Sequence, residues 1–273
     1  MDKTIQFRDI TGFYTDEGNG KIIVLIHGFC EDGSVWDDFR KNLSRDFRVI
    51  VPDLPGYRNS TLTAQGLSIE WMAEFVKAIL DKEKIKLPTI IGHSMGGYIA
   101  LALAEKYPDL PERIGLLQSH CFADDDEKKK NRQKGIDFVS KNGTRDFVNE
   151  LYGNLFGEKF LKESKATVDQ LKAYAQVYSS ETVIACLQAM MNRHDRANVL
   201  KSFKKPVVFI LGKQDKAIPY VKSLEQCSYP EISEVHILDD AGHMGMLEEP
   251  KKTLEIVREF ANLNYVIASS QIK

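Results

Sequence analysis

Near-continuous apolar runs recur along the chain, each closed by glycine, proline, histidine or aspartate. They are "KIIVLIHG" (21–28), "FRVIVPDLPG" (47–56), "LPTIIGH" (87–93), "RIGLLQS" (113–119), "KPVVFILG" (205–212) and "SEVHILDD" (233–240). Runs that lack polar alternation mark strands covered on both faces. The opening "TIQFRDITGFYTDE" instead reads as an antiparallel edge hairpin. Between the runs, apolar positions fall at helical spacing. The stretch 34–43 starts at Ser34, a good N-cap. In 68–82, Ile69, Met72, Phe75, Val76 and Ile79 share one face behind a Ser68 cap, while 94–108 is rich in small residues and 248–263 is amphipathic. Strands alternating with helices predict an α/β fold with a mostly parallel, doubly wound sheet.

One region breaks the alternation. From about 122 to 200 there is no strand pattern, only helical ones such as "TRDFVNELYGNLF" and "ETVIACLQAMMNR". It is too long for a plain connection. The expected organisation is a core of 1–121 and 200–273, with an all-helical cap, 122–199, inserted over the carboxyl edge of the sheet.

Composition changes this picture little. The 273 residues are 43% apolar and 28% charged, as in ordinary globular chains. The net charge of −2 gives no field that would draw nucleic acid or anionic lipid. Lys128–Lys130 follow acidic 124–127 and read as a solvated helix start. Four scattered cysteines form no CxxC pair, so neither zinc nor redox chemistry is expected. The charged N-terminus lacks the apolar core of a secretory signal, and no apolar stretch is long enough to span a bilayer. The expectation is a cytoplasmic monomer or homodimer with no metal, no cofactor, no membrane and no nucleic acid as partner.

The candidate chemistry starts at "IIGHSMGG" (90–97). Ser94 follows a predicted strand and precedes a predicted helix, with glycine at 92, 96 and 97. In that context Gly-x-Ser-x-Gly is a nucleophile elbow: a strained turn that pushes the hydroxyl into the cleft at the strand ends. Gly92 and Gly96 leave room for the turn, and Gly97 lets the helix approach neighbouring backbone. A serine needs a base, and a base needs an orienting carboxylate. His243 in "DDAGHMGMLEEP" follows the last strand, and Asp215 in "LGKQDKAIP" follows the strand before it. The order Ser94, Asp215, His243 is the one this fold uses. Asp124–Asp126, beyond the sixth strand, are rivals for the acid. The backbone N–H groups of Met95 and of Phe29, in "HGFC" (27–30), are the expected oxyanion donors.

"LIHGF", "DLPGY", "GHSMGG", "LGKQD" and "AGH" occur in this order over nearly the whole length. On these motifs the chain resembles the α/β-hydrolase superfamily, and within it the capped single-chain esterase, lactonase and C–C hydrolase group. Arg58 stands where many relatives have glycine, which implies an altered surface loop. The resemblance implies hydrolysis of a small-molecule acyl substrate, an ester, thioester or lactone, through an acyl-enzyme. Cleavage of a C–C bond and a hydrolase-like receptor are the alternatives. Haloalkane and epoxide chemistry is disfavoured, because such relatives carry aspartate where Ser94 stands. His120, at the end of the sixth strand, is a candidate substrate contact with a structural role as its rival. Phe147, Tyr152 and Met190 are candidate pocket residues, as are Phe138, Leu151, Phe156 and Met191, although such spacing also suits core packing. His27 and His93 are expected to bond backbone, and His194 and Arg193 to brace Asp195 or the cap.

Overall fold

Chain order begins with β1 (Asp2–Phe7) and β2 (Ile10–Glu17), which pair antiparallel as a hairpin. The six apolar runs follow as β3 (Ile22–Ile26), β4 (Arg48–Asp53), β5 (Thr89–His93), β6 (Arg113–Leu117), β7 (Val207–Gly212) and β8 (Ser233–Leu238). These elements come from a computed structural model that describes residues 1–263. The last ten residues of the expected core therefore lie outside the described residues. The sheet has the order β1-β2-β4-β3-β5-β6-β7-β8. β2 runs antiparallel to β4, and every later pairing is parallel. From Ile23 onward the branched side chains of β3, β5 and β7 are buried because helices cover both faces. From β3 the chain steps out to β4 on one side and returns to β5 on the other. That reversal opens a crevice at the carboxyl ends of β3 and β5.

The helices of the core are α1 (Asp37–Leu43), α2 (Ile69–Lys82), α3 (Met95–Lys106), α10 (Tyr220–Gln226), α11 (Gly245–Glu248) and α12 (Pro250–Asn262). Ser68 caps α2 by accepting the Trp71 N–H at 3.0 Å. α3 is buried without a break from Met95 to Ala104, which its small residues permit. Two expected boundaries differ. Asp32, not Ser34, caps the turn before α1: its carboxylate reaches the Ser34 N–H at 2.8 Å, placing Ser34 inside a 3-10 turn, Gly33–Trp36. The stretch 248–263 divides because Pro250 has no N–H to continue a preceding helix and instead opens α12.

Between β6 and β7 lie α4 (Asp126–Asn142), α5 (Thr144–Gly153), α6 (Glu158–Glu163), α7 (Lys165–Ala175), α8 (Ser180–Met191) and α9 (Ala197–Ser202), with no strand among them. α9 straddles residue 199. Arg58 sits at φ 49°, a left-handed conformation that favours glycine. Its guanidinium lies 3.9 Å from the buried Asp53 carboxylate, whose pKa burial pushes up to about 7.

Candidate active site

The β5–α3 junction bends at Ser94, at φ 49° and ψ −115°. Glycines make this bend possible. A Cβ on Gly92 would collide with the backbone of Gly96 and Gly97, and one on Gly96 with the Ile26 and His27 carbonyls of the next strand. At Gly97 the close neighbour is the Ser119 side chain rather than the expected backbone. The elbow is tied to β6: Ser94 N–H donates to Leu117 O at 3.0 Å, and the Ser119 hydroxyl donates to Ser94 O at 2.8 Å. Met95 opens α3, so its N–H belongs to the first helical turn, where amides lack an intrahelical acceptor.

His243 and Asp215 come from loops beyond β8 and β7. The His243 Nδ1–H donates to Asp215 Oδ2 at 2.7 Å. The other oxygen, Oδ1, accepts from Ala217 N–H and Ile218 N–H, both at 2.8 Å, so the carboxylate is held at both ends. With its proton on Nδ1, the neutral tautomer keeps its lone pair at Nε2. Asp124–Asp126 do not bond His243. Asp124 pairs with Arg132 and Arg193, and Asp125 caps α4 through the Lys128 N–H at 2.8 Å.

A cavity of about 370 Å³ opens here. Ser94 and His243 share its wall with Phe29, Glu31, Tyr98, Phe147, Leu151 and Met190. No hydrogen bond joins the Ser94 hydroxyl to His243 in this structure; what the fold brings together is a common cavity wall. Two candidate pocket residues lie elsewhere. His120 is buried behind Tyr98, with ring centroids 5.4 Å apart, and its Nδ1 accepts the Phe122 N–H at 3.1 Å. Burial, then the nearby Arg193 charge, pushes its pKa well down and favours the neutral ring. Tyr152 is one residue past Leu151 on α5 and turns away from this cavity, its hydroxyl donating to Cys30 O at 2.7 Å. Of the other apolar candidates, Phe138 is exposed and Phe156 packs against Phe160 with ring centroids 5.1 Å apart. Arg193 does brace the insertion, through Asp124, Phe122 O and Met190 O.

Sequence reasoning missed three features of the site. Glu31 is buried, accepts the Gly28 N–H at 3.0 Å and pairs with His93 Nδ1 at 3.0 Å. His93 Nε2–H in turn donates to His243 O at 2.7 Å. Burial alone would disfavour charge on both groups. Their mutual attraction outweighs it, leaving the His93 pKa raised and the Glu31 pKa lowered. Glu248 gathers the His243 loop. Its carboxylate accepts Gly157 N–H at 2.6 Å, Met244 N–H at 2.9 Å and Gly242 N–H at 3.0 Å. Both depend on contacts between residues far apart in sequence, which local pattern cannot reveal. The third is the lysine run, read as solvated. Lys128 faces the cavity, one turn before Arg132 on the same face of α4. Its pKa is lowered, chiefly by burial. Among the described residues, no group of three or more His, Cys, Asp or Glu side chains is placed to hold a metal ion, and no helix is long and apolar enough to cross a membrane.

Comparison with known proteins bears on the fold and the family. The pimeloyl-[acyl-carrier protein] methyl ester esterase of Aeromonas hydrophila is 27% identical over 256 residues, 89% of this chain and 96% of its own length. The 2-hydroxy-6-oxononadienedioate/2-hydroxy-6-oxononatrienedioate hydrolase of a Pseudomonas species is 23% identical over 269 residues, covering 90% of this chain and 89% of its own. Some matched relatives are longer, and the chain spans 65% of one and 35% of another. Among solved structures, a thermophilic esterase from Thermogutta terrifontis (malate bound) superposes with a TM-score of 0.90 at 26% identity, over 95% of this chain and 97% of that one. The sequence profile of the alpha/beta hydrolase fold matches residues 21–250. With the parallel sheet and the elbow between β5 and α3, that match leads to one conclusion: the chain belongs to the alpha/beta hydrolase fold family.

Proposed function

We propose that the protein is a serine hydrolase that cleaves a small to medium ester, thioester or lactone through an acyl-enzyme. The observation that carries this reading is the 2.7 Å hydrogen bond from His243 to Asp215, facing a cavity shared with Ser94 on its strained elbow. Ser94 Oγ attacks the acyl carbonyl while His243 Nε2 takes its proton, and Asp215 stabilises the imidazolium. The oxyanion accepts hydrogen bonds from the Phe29 and Met95 N–H groups. Collapse expels the alcohol or thiol, protonated by His243. Water, deprotonated by the same nitrogen, then releases the acid and regenerates Ser94. The esterase relatives support the ester reading. The dioate hydrolase relative supports a second one, C–C cleavage with the same three residues.

The test is a fluorophosphonate probe together with turnover of 4-nitrophenyl butyrate. Wild type should label and turn over. Ser94→Ala should do neither, with a loss of about 10⁴-fold or more in kcat and an unchanged melting temperature. Labelling that persists in the variant removes Ser94 from the role of nucleophile, and a wild type that neither labels nor turns over favours a receptor.

A further inference from the structure

Beyond the reacting groups, the cavity has an uneven charge that the hydrolytic reading does not use. Lys128, Asn131, Arg132 and Gly135 of α4 all line it and recur at helical spacing, so one stripe of the helix faces inward. Gly135 keeps the stripe close to the apolar wall, because a Cβ there would meet the Phe147 ring at 3.1 Å and Leu187 at 3.5 Å. Lys216 reaches the same cavity from the loop beyond β7. Counter-charge is scarce. Asp124 is the carboxylate behind the stripe, and it serves both Arg132 and Arg193. The Lys128 ammonium forms no ion pair among the described residues; its one hydrogen bond is a long contact to Ala217 O at 3.4 Å. Of its three donors, two lack a protein partner. Glu31, the acidic residue on the wall, is already neutralised by His93. Asp124 attracts the Lys128 ammonium without pairing to it, and a partly buried ammonium with no paired carboxylate gains from a ligand that supplies one.

We propose that Lys128, assisted by Arg132 and Lys216, forms an anion subsite, and that the substrate carries a free carboxylate several bonds from the scissile acyl group. This rests on the serine-hydrolase reading for the scissile bond but not for the binding of the anion. The apolar wall of Phe147, Leu151, Leu187 and Met190 would cover the intervening chain, and the ion pair would fix which end of a half-ester meets Ser94. Such a site selects against neutral esters of equal length, because these leave the ammonium without a paired carboxylate.

The experiment uses matched ester pairs. On the acyl side, the 4-nitrophenyl monoester of adipic acid is compared with 4-nitrophenyl hexanoate. On the leaving-group side, 4-carboxyphenyl butyrate is compared with phenyl butyrate. In wild type the carboxylate should raise kcat/KM by roughly tenfold or more in one of the two pairs, as expected for a charge-assisted hydrogen bond, and the pair that responds tells which half of the substrate bears the anion. Lys128→Gln should abolish that ratio, Lys128→Arg should retain most of it, and the exposed Lys130→Gln should leave it unchanged. Calorimetry of adipate with Ser94→Ala reads the subsite without turnover, and the double variant Ser94→Ala/Lys128→Gln should bind at least about tenfold more weakly. Ratios near one in both pairs, or a ratio that survives in Lys128→Gln, overturn the subsite while leaving the serine reading intact. Adipate binding that depends on Lys128 without turnover of any ester upholds the subsite and overturns the serine reading instead.

Discussion

Glu31 and His93 form a buried pair that touches the candidate site through the His243 carbonyl. The His93 ring meets a carbonyl at Nε2 and a carboxylate at Nδ1, and only the doubly protonated ring donates to both. The signs of the two shifts define a pH window. The raised His93 pKa stabilises the fold fully below the ordinary histidine value of about 6.5, and that contribution is lost as pH rises through the folded value. The lowered Glu31 pKa stabilises the fold above the ordinary glutamate value of about 4.3, and is lost as pH falls through its folded value. The pair therefore contributes most between about 4.3 and 6.5. Glu31→Gln should be less stable than wild type by up to about 3 kcal/mol near pH 6, and the gap should narrow towards pH 9. Thermal melts across this range check it, and a gap of constant size would mean that the pair is not ionised. The sequence could offer Ser94, Asp215 and His243 because their motifs are local. It could not offer Glu31, which stands 62 residues from its partner.

At the scale of elements, the strands were legible because parallel strands buried on both faces are written as unbroken apolar runs, "KIIVLIHG" being the clearest. Helix phase was less so. On α5, adjacent Leu151 and Tyr152 are both compatible with a pocket wall until packing fixes the rotation of the helix, and it directs only Leu151 to the cavity. The last helix shows the same limit: its amphipathic pattern runs through Pro250, but the backbone breaks there and leaves α11 as a separate turn. That turn matters because it carries Glu248, which accepts three N–H groups from the His243 loop and from Gly157 at the start of α6. Removing the carboxylate leaves these donors without partners, each worth about 1–3 kcal/mol where water cannot replace it. Glu248→Ala should therefore lower kcat through a loosened His243 while KM changes little, and Glu248→Gln, which keeps one acceptor oxygen, should fall between. Equal kcat in all three proteins would show that the loop holds itself in place.

At the scale of the molecule, the six helices between β6 and β7 stand in a different mechanical relation to the sheet than α2, α3 and α12 do. The sheet is one continuous hydrogen-bonded ladder. The inserted helices lie outside that ladder and meet the core through side chains: apolar packing such as Tyr178 on Tyr57, with ring centroids 4.8 Å apart, and polar contacts from Tyr152 to Cys30 O, Tyr178 to Asp32, Thr182 to Gly56 O, and the His243 N–H to Leu155 O. Side-chain contacts can open without breaking the ladder, and α4–α7 bury few residues along their length, so local unfolding free energies should be lower there than in β3, β5 and β6. Hydrogen exchange should show the inserted helices losing protection first, as a lid over Ser94 would. Their inner wall carries a second consequence. Phe147 and Met190 reach the cavity from α5 and α8, so truncating either to alanine widens the space available to an acyl chain. For Phe147→Ala and Met190→Ala, kcat/KM on 4-nitrophenyl octanoate should rise relative to that on the acetate by about threefold or more, given roughly 0.8 kcal/mol for each methylene newly accommodated. Equal losses on acetate, butyrate and octanoate would mean that the two side chains only support folding. Exchange protection uniform across sheet and insertion would mean that the helices are a fixed roof rather than a lid.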